Sequence, residues 1–125
     1  MPEIDSELEL ALNYLDHNKD ESLKRLLDIL KIPSISTQKK YSKDCLNAAN
    51  WFVEQLKDIG FDASIRETNG HPMVVAHFEQ EGPHFLFYGH YDVQPIDPIE
   101  LWNHDPFEPK IEKSHNVEII KARGA

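Results

Sequence analysis

The stretch FLFYGHYDVQPIDP, residues 85–98, decides how this chain is read. An apolar run rich in β-formers ends on His90, Asp92 follows two residues later, and the chain then turns to proline. HFLFY, residues 84–88, is nearly uninterrupted apolar sequence, which predicts a central strand covered on both faces. In open α/β sheets ligands bind beyond the carboxyl ends of the strands, and His90 stands at that end. Residues two apart in extended backbone point to one side, so His90 and Asp92 reach a common neighbourhood while Tyr91 turns away. A histidine that binds a metal through one ring nitrogen usually gives its other N–H to a carboxylate or carbonyl. Two readings of these residues stay open. One is a hydrogen-bonded histidine beside a loop carboxylate; the other is a metal ligand with its orienting acid. Zinc takes about four ligands, or three and a water, and no second histidine or carboxylate stands at a ligand spacing from His90.

Working outward from this stretch, the period of the apolar residues changes once. Before it, Leu8, Leu12 and Leu15 form one helical stripe after a candidate cap at Ser6. Leu23, Leu26, Leu27 and Leu30 form a second stripe after Asp20, stopped at Pro33. Cys45, Ala48, Ala49, Phe52, Val53, Leu56 and Ile59 form a third, with Gly60 where a helix end favours a left-handed residue. All three stripes are expected in the core. From Phe61 the period is two: FDASIRET alternates, NGHP supplies a turn, MVVAHF is a second strand, and Gly82–Pro83 punctuates before HFLFY. The proline-rich segment 92–109 is expected to be a structured loop, and VEIIKA one more strand. His17, His71, His77, His84, His104 and His115 are read as surface or packing residues.

Composition narrows the class. The 125 residues suffice for one domain with a real core, and 40% hydrophobic with 28% charged residues is ordinary globular composition. A net charge of -9 repels phosphate backbones, so nucleic acid is not expected as a partner. With one cysteine no intrachain disulfide forms, and Cys45 reads as a small buried hydrophobe. The acidic start MPEIDSELEL lacks the features of a signal or transit peptide. No stretch reaches the ~20 apolar residues of a membrane helix, so no membrane partner is expected. A cytoplasmic location is the default expectation.

The segment FLFYGHYDVQPIDPIELWNHDPFEP, residues 85–109, resembles the first metal-site segment of the di-zinc metallopeptidases. That family includes aminoacylases, acetylornithine deacetylase, succinyl-diaminopimelate desuccinylase and carnosinase-type dipeptidases. GHYDVQP, Asp97–Pro98, Leu101–Trp102 and PFEP together are most similar to the dipeptidase branch. Upstream, LLDILKIPSIST and AANWFVEQLKDIGFDASIRETNGHPMVVA follow the pattern in order, as does the final ARGA, so the resemblance runs from about Leu23 to Ala125.

The resemblance implies an α/β chain: the N-terminal part of a three-layer α/β/α catalytic domain, helices first and then a mixed sheet, over residues 1–125. It implies that His90 is a ligand to one of two zinc ions, and that Asp92 is the catalytic-site acid that tunes that ligand. The implied substrate is a small molecule, a dipeptide or an N-acyl amino acid, cleaved by a metal-activated water. The full-length form is implied to dimerise. In the family, Arg-Gly-Ala is followed by a small hydroxyl residue and then a bridging aspartate, so the next ligand is expected two residues past Ala125, with the general base and a lid domain further on. The chain is therefore expected to be the opening portion of the enzyme and inactive alone. The alternative is a truncated, non-catalytic product or small acidic binding module. One departure from the pattern is EKSHNVEIIKA, which lacks the usual glycine-bearing turn before the last strand.

Overall fold

A computed structural model describes residues 2–125, with side chains from residue 6 onward. Helices come first and strands after, as the α/β reading expects. Helix α1 spans Pro2–His17, α2 Lys19–Leu30 and α3 Ser42–Asp58, with a 3-10 turn at Lys39–Tyr41 leading into α3. Strands β1, Asp62–Arg66, and β2, Met73–His77, form one antiparallel hairpin. Strands β3, Lys110–Ser114, and β4, Val117–Lys121, form another. Between the hairpins a second 3-10 turn spans Ile99–Leu101. Among the described residues the expected mixed sheet is not formed: the two hairpins are separate antiparallel sheets, and the parallel pairing is an isolated bridge, Ile35 to Val93, outside the strands.

The core gathers around α3, which packs on β1 and β2. Cys45, Ala48 and Ala49 are fully buried, Val53 nearly so, and Ala63 of β1 meets this face. Small residues here let the helix lie close on the hairpin. Gly60 ends α3 with φ +95, the left-handed conformation expected of a residue just past a helix. Leu30, at the end of α2, and Ile35 complete the buried set. Ser34 is buried too, at 2% exposure, and its hydroxyl donates to the Tyr91 carbonyl at 2.7 Å, so that hydroxyl is not stranded.

Three further sequence expectations are corrected. Helix α1 begins at Pro2, so Ser6 lies inside it rather than capping it. The α1 stripe is not core: Leu8, Leu12 and Leu15 are each more than half exposed, because α1 packs only lightly, chiefly on α2, and Leu26 and Ile59 of the other two stripes are exposed as well. An amphipathic pattern dictates a face to bury without supplying the surface that buries it. The third concerns HFLFY. Residues 84–88 run without ladder partners, with Phe85, Leu86, Phe87 and Tyr88 exposed at 79%, 96%, 89% and 91%. Among the described residues no strand lies on either edge of this segment, so its backbone has no ladder to join. The chain as a whole exposes 10315 Å², where a compact monomer of 14.5 kDa exposes about 6,900 Å².

The sequence missed β3, whose residues KIEKS carry little apolar pattern. The turn that lacks glycine is nonetheless a two-residue hairpin turn: His115 and Asn116 have φ 49 and 66, the left-handed pair that matches strand twist. Lys121 pairs with Glu112 diagonally across this hairpin and holds the Glu112 carboxyl below its ordinary value. The segment 92–109 is a structured loop wrapped on Trp102, whose indole N–H donates to the Ile96 carbonyl at 3.1 Å. Arg123 of the ARGA sequence lies over the Trp102 ring, 4.9 Å from its centroid, and its backbone N–H donates to Pro106. Gly124, at φ +93, brings the chain against Val93; a Cβ there would sit 2.8 Å from Val93 Cγ1.

Candidate metal-ligand site

Residues 91–93 are held by the segment after α2. Val93 N–H donates to Ser34 O at 3.0 Å, and the Ser34 hydroxyl holds Tyr91 O, so two short extended segments dock side by side. Tyr91 turns away from the site: its ring lies 6.4 Å from that of Phe52, and its hydroxyl donates to the Pro72 carbonyl. Burial pushes the Tyr91 phenol above its ordinary pKa, keeping it protonated as a donor.

His90 and Asp92 are brought together. His90 Nδ1 lies 2.8 Å from Asp92 Oδ1 and 3.0 Å from the Asp92 backbone oxygen. Both partners accept, so Nδ1 carries a proton, and in the neutral ring the lone pair stands on Nε2. The His90 side chain is 73% exposed, so Nε2 is open to an incoming ligand. The second oxygen of the carboxylate, Asp92 Oδ2, accepts the Ser36 hydroxyl at 2.6 Å. His71 Nε2 donates to the Ser36 carbonyl at 2.7 Å. The Asp92 carboxyl is held below its ordinary value of 3.8, first by the Ser36 hydrogen bond, against the opposing effect of partial burial, and then by His90.

This shift gives a pH dependence with a definite sign. The carboxyl binds its proton less readily in the folded chain than in the unfolded one, so its contacts contribute fully above 3.8 and are lost as pH falls through the lower folded value. The expected result is an Asp92 carboxyl carbon that titrates below 3.8 by NMR and moves toward 3.8 in Ser36→Ala. An unchanged titration in that variant removes Ser36 as the main cause.

Among the described residues no group of three or more His, Cys, Asp or Glu side chains is placed to hold a metal ion. The donor chemistry at His90 fits one corner of a zinc site: a neutral imidazole with a free Nε2 and its other nitrogen given to a carboxylate. Cys45 is no part of it. Its thiol is fully buried and pushed up by burial and by Asp92, as befits an inert core residue. A concavity of about 620 Å³, lined by Pro33, Tyr41, Ile96, Trp102, His104 and Phe107 among others, includes neither His90 nor Asp92. No helix among the described residues is long and apolar enough to cross a membrane. Sequence reasoning missed Ser36 and His71 as site residues, although both lie within stretches that carry the resemblance, LLDILKIPSIST and NGHPMVVA; Ser36 stands 56 residues before Asp92 and His71 stands 19 before His90.

The chain is homologous to metallodipeptidases and succinyl-diaminopimelate desuccinylases, the class to which its sequence has a resemblance. It is 28% identical to the Cys-Gly metallodipeptidase DUG1 of Candida albicans over 94% of its own length and 27% of that protein. It is 36% identical to a succinyl-diaminopimelate desuccinylase of Alkalilimnicola ehrlichii over 58% of the chain and 18% of the relative. Among solved structures it matches the dipeptidase Dug1p of Saccharomyces cerevisiae with a TM-score of 0.74 at 27% identity, covering 88% of this chain and 26% of that one. The chain thus spans about a quarter of the length of the dipeptidases it matches, which fits an N-terminal portion. No family model matches it.

Proposed function

We propose that residues 1–125 are the opening portion of the catalytic domain of a zinc-dependent dipeptidase, acting on dipeptides or N-acyl amino acids. In this reading His90 is the first ligand to one of two zinc ions, and Asp92 fixes its tautomer. The observation that carries the reading is the His90–Asp92 hydrogen bond of 2.8 Å with Nε2 left free, in a chain similar to metallodipeptidases over nearly all its length. Zinc held there by His90 and further ligands would supply Lewis acidity for a scissile carbonyl and for the attacking water. What this chain's residues supply is aim. Asp92 accepts the Nδ1 proton, which raises the basicity of Nε2 and holds the ring plane, and Ser36 holds the carboxylate that does so. The whole protein is proposed to be a cytoplasmic homodimer.

The 125 residues alone are proposed to be inactive. The test is therefore a graft. Residues 23–125 replace the corresponding segment of the Saccharomyces cerevisiae dipeptidase, and Cys-Gly hydrolysis is followed with and without chelator. The graft is expected to turn over in a metal-dependent way, while the isolated chain shows neither turnover nor tight zinc binding by calorimetry. A folded graft with no activity, or robust turnover by the isolated chain, overturns the reading.

A further inference from the structure

The carboxylate of Asp92 is gripped at both oxygens, and the two grips come from different parts of the chain. Oδ1 takes the His90 Nδ1 proton, and Oδ2 takes the Ser36 hydroxyl from 56 residues upstream. Rotation of a carboxylate about its Cβ–Cγ bond displaces both oxygens, so with both bound a turn breaks two hydrogen bonds rather than one. Ser36 is in turn well placed to hold it. Its neighbours Ser34 and Ile35 are buried, and both pair with residues 91–93. Its own carbonyl is taken by His71 Nε2 at 2.7 Å. His71 stands in the turn between β1 and β2, where Thr68 Oγ1 donates to the His71 carbonyl at 2.8 Å and accepts from Gly70 N–H at 3.0 Å. The same turn is tied to the site again through the Tyr91 hydroxyl on Pro72.

We infer that Ser36 is a positioning residue for the His90–Asp92 pair, linking that pair through His71 to the β1–β2 turn. Its hydroxyl fixes the carboxylate, the carboxylate fixes the Nδ1–H tautomer of His90, and the free Nε2 is thereby aimed. The significance of that aim rests on reading His90 as a ligand; the geometry of the relay does not.

The test needs no metal. The full 125-residue chain, labelled with 15N at histidine, is examined by NMR at about pH 8, above the ordinary histidine range, and the two ring nitrogens of His90 report its tautomer. Ser36→Thr and Ser36→Val have nearly one shape and differ in the hydroxyl. The Thr variant is expected to keep the Nδ1–H form of the wild type. The Val variant is expected to shift the tautomer ratio toward Nε2–H by about 2- to 10-fold, the size of one hydrogen bond. A Val variant with the wild-type ratio overturns the inference. If that variant does not fold by circular dichroism, Ser36→Ala is read in its place by the same criterion. His71→Ala is expected to move the ratio in the same direction, and no movement removes the link to the turn. An inactive graft with a shifted tautomer counts against the dipeptidase reading alone, and an active graft with an unshifted one counts against Ser36 alone.

Discussion

His90→Ala in the grafted dipeptidase is expected to abolish Cys-Gly turnover and to lower the metal content by one ion per chain. The imidazole has no stand-in: the nearest acid, Asp92, is already committed at both oxygens, and no cluster of other donors lies near among the described residues. Asp92→Ala is expected to behave differently. It leaves the ligand in place but frees its ring to rotate and to take the other tautomer, so most of the metal stays while the rate falls by about 10- to 100-fold. That is about 1.4 to 2.7 kcal/mol at the barrier. The pair of variants separates holding a metal from aiming a ligand, and metal analysis beside kcat reads both. Normal activity in His90→Ala would remove the ligand assignment, and equal metal loss in both variants would make Asp92 a ligand rather than its orienting partner.

Sequence periodicity made α3 and the β1–β2 hairpin legible because each meets its partner within about thirty residues and the small residues of α3 match the hairpin laid on it. The His90–Asp92 pair was legible for a similar reason: the rule that residues two apart share a side is local. Ser36 and His71 were not, since a hydroxyl or imidazole that bonds across 56 or 35 positions leaves no mark on the spacing of its neighbours. The opposite failure occurs at HFLFY and the α1 leucines. There the pattern specifies a surface to be covered, and burial depends on partners that no periodicity can provide. The hairpin turn at His115–Asn116 was obscured by its chemistry, because two side chains other than glycine occupy left-handed backbone.

Two substitutions on apolar residues should divide sharply in the 125-residue chain. Ile35→Ala is expected to cost about 2–5 kcal/mol, because Ile35 is fully buried and sits on the bridge that docks residues 91–93. A domain of this size is stable by only about 5–15 kcal/mol, and the buried apolar set here is thin, three of its members being alanines. A substantial part of the margin should vanish, with the His90–Asp92 contact loosening as its support is withdrawn. Leu86→Ser, although it removes as large a side chain from the most apolar run in the sequence, should change stability by no more than about 0.5 kcal/mol, because Leu86 is 96% exposed. Urea midpoints followed by circular dichroism read both. In the grafted dipeptidase the second result is expected to reverse: if strands of the host flank residues 84–88 and helices cover them, Leu86→Ser becomes a core substitution and its cost rises toward that of Ile35→Ala. A Leu86→Ser graft as stable as its parent would mean that the apolar run lies outside the sheet there too, and that His90 does not stand at the end of a buried strand.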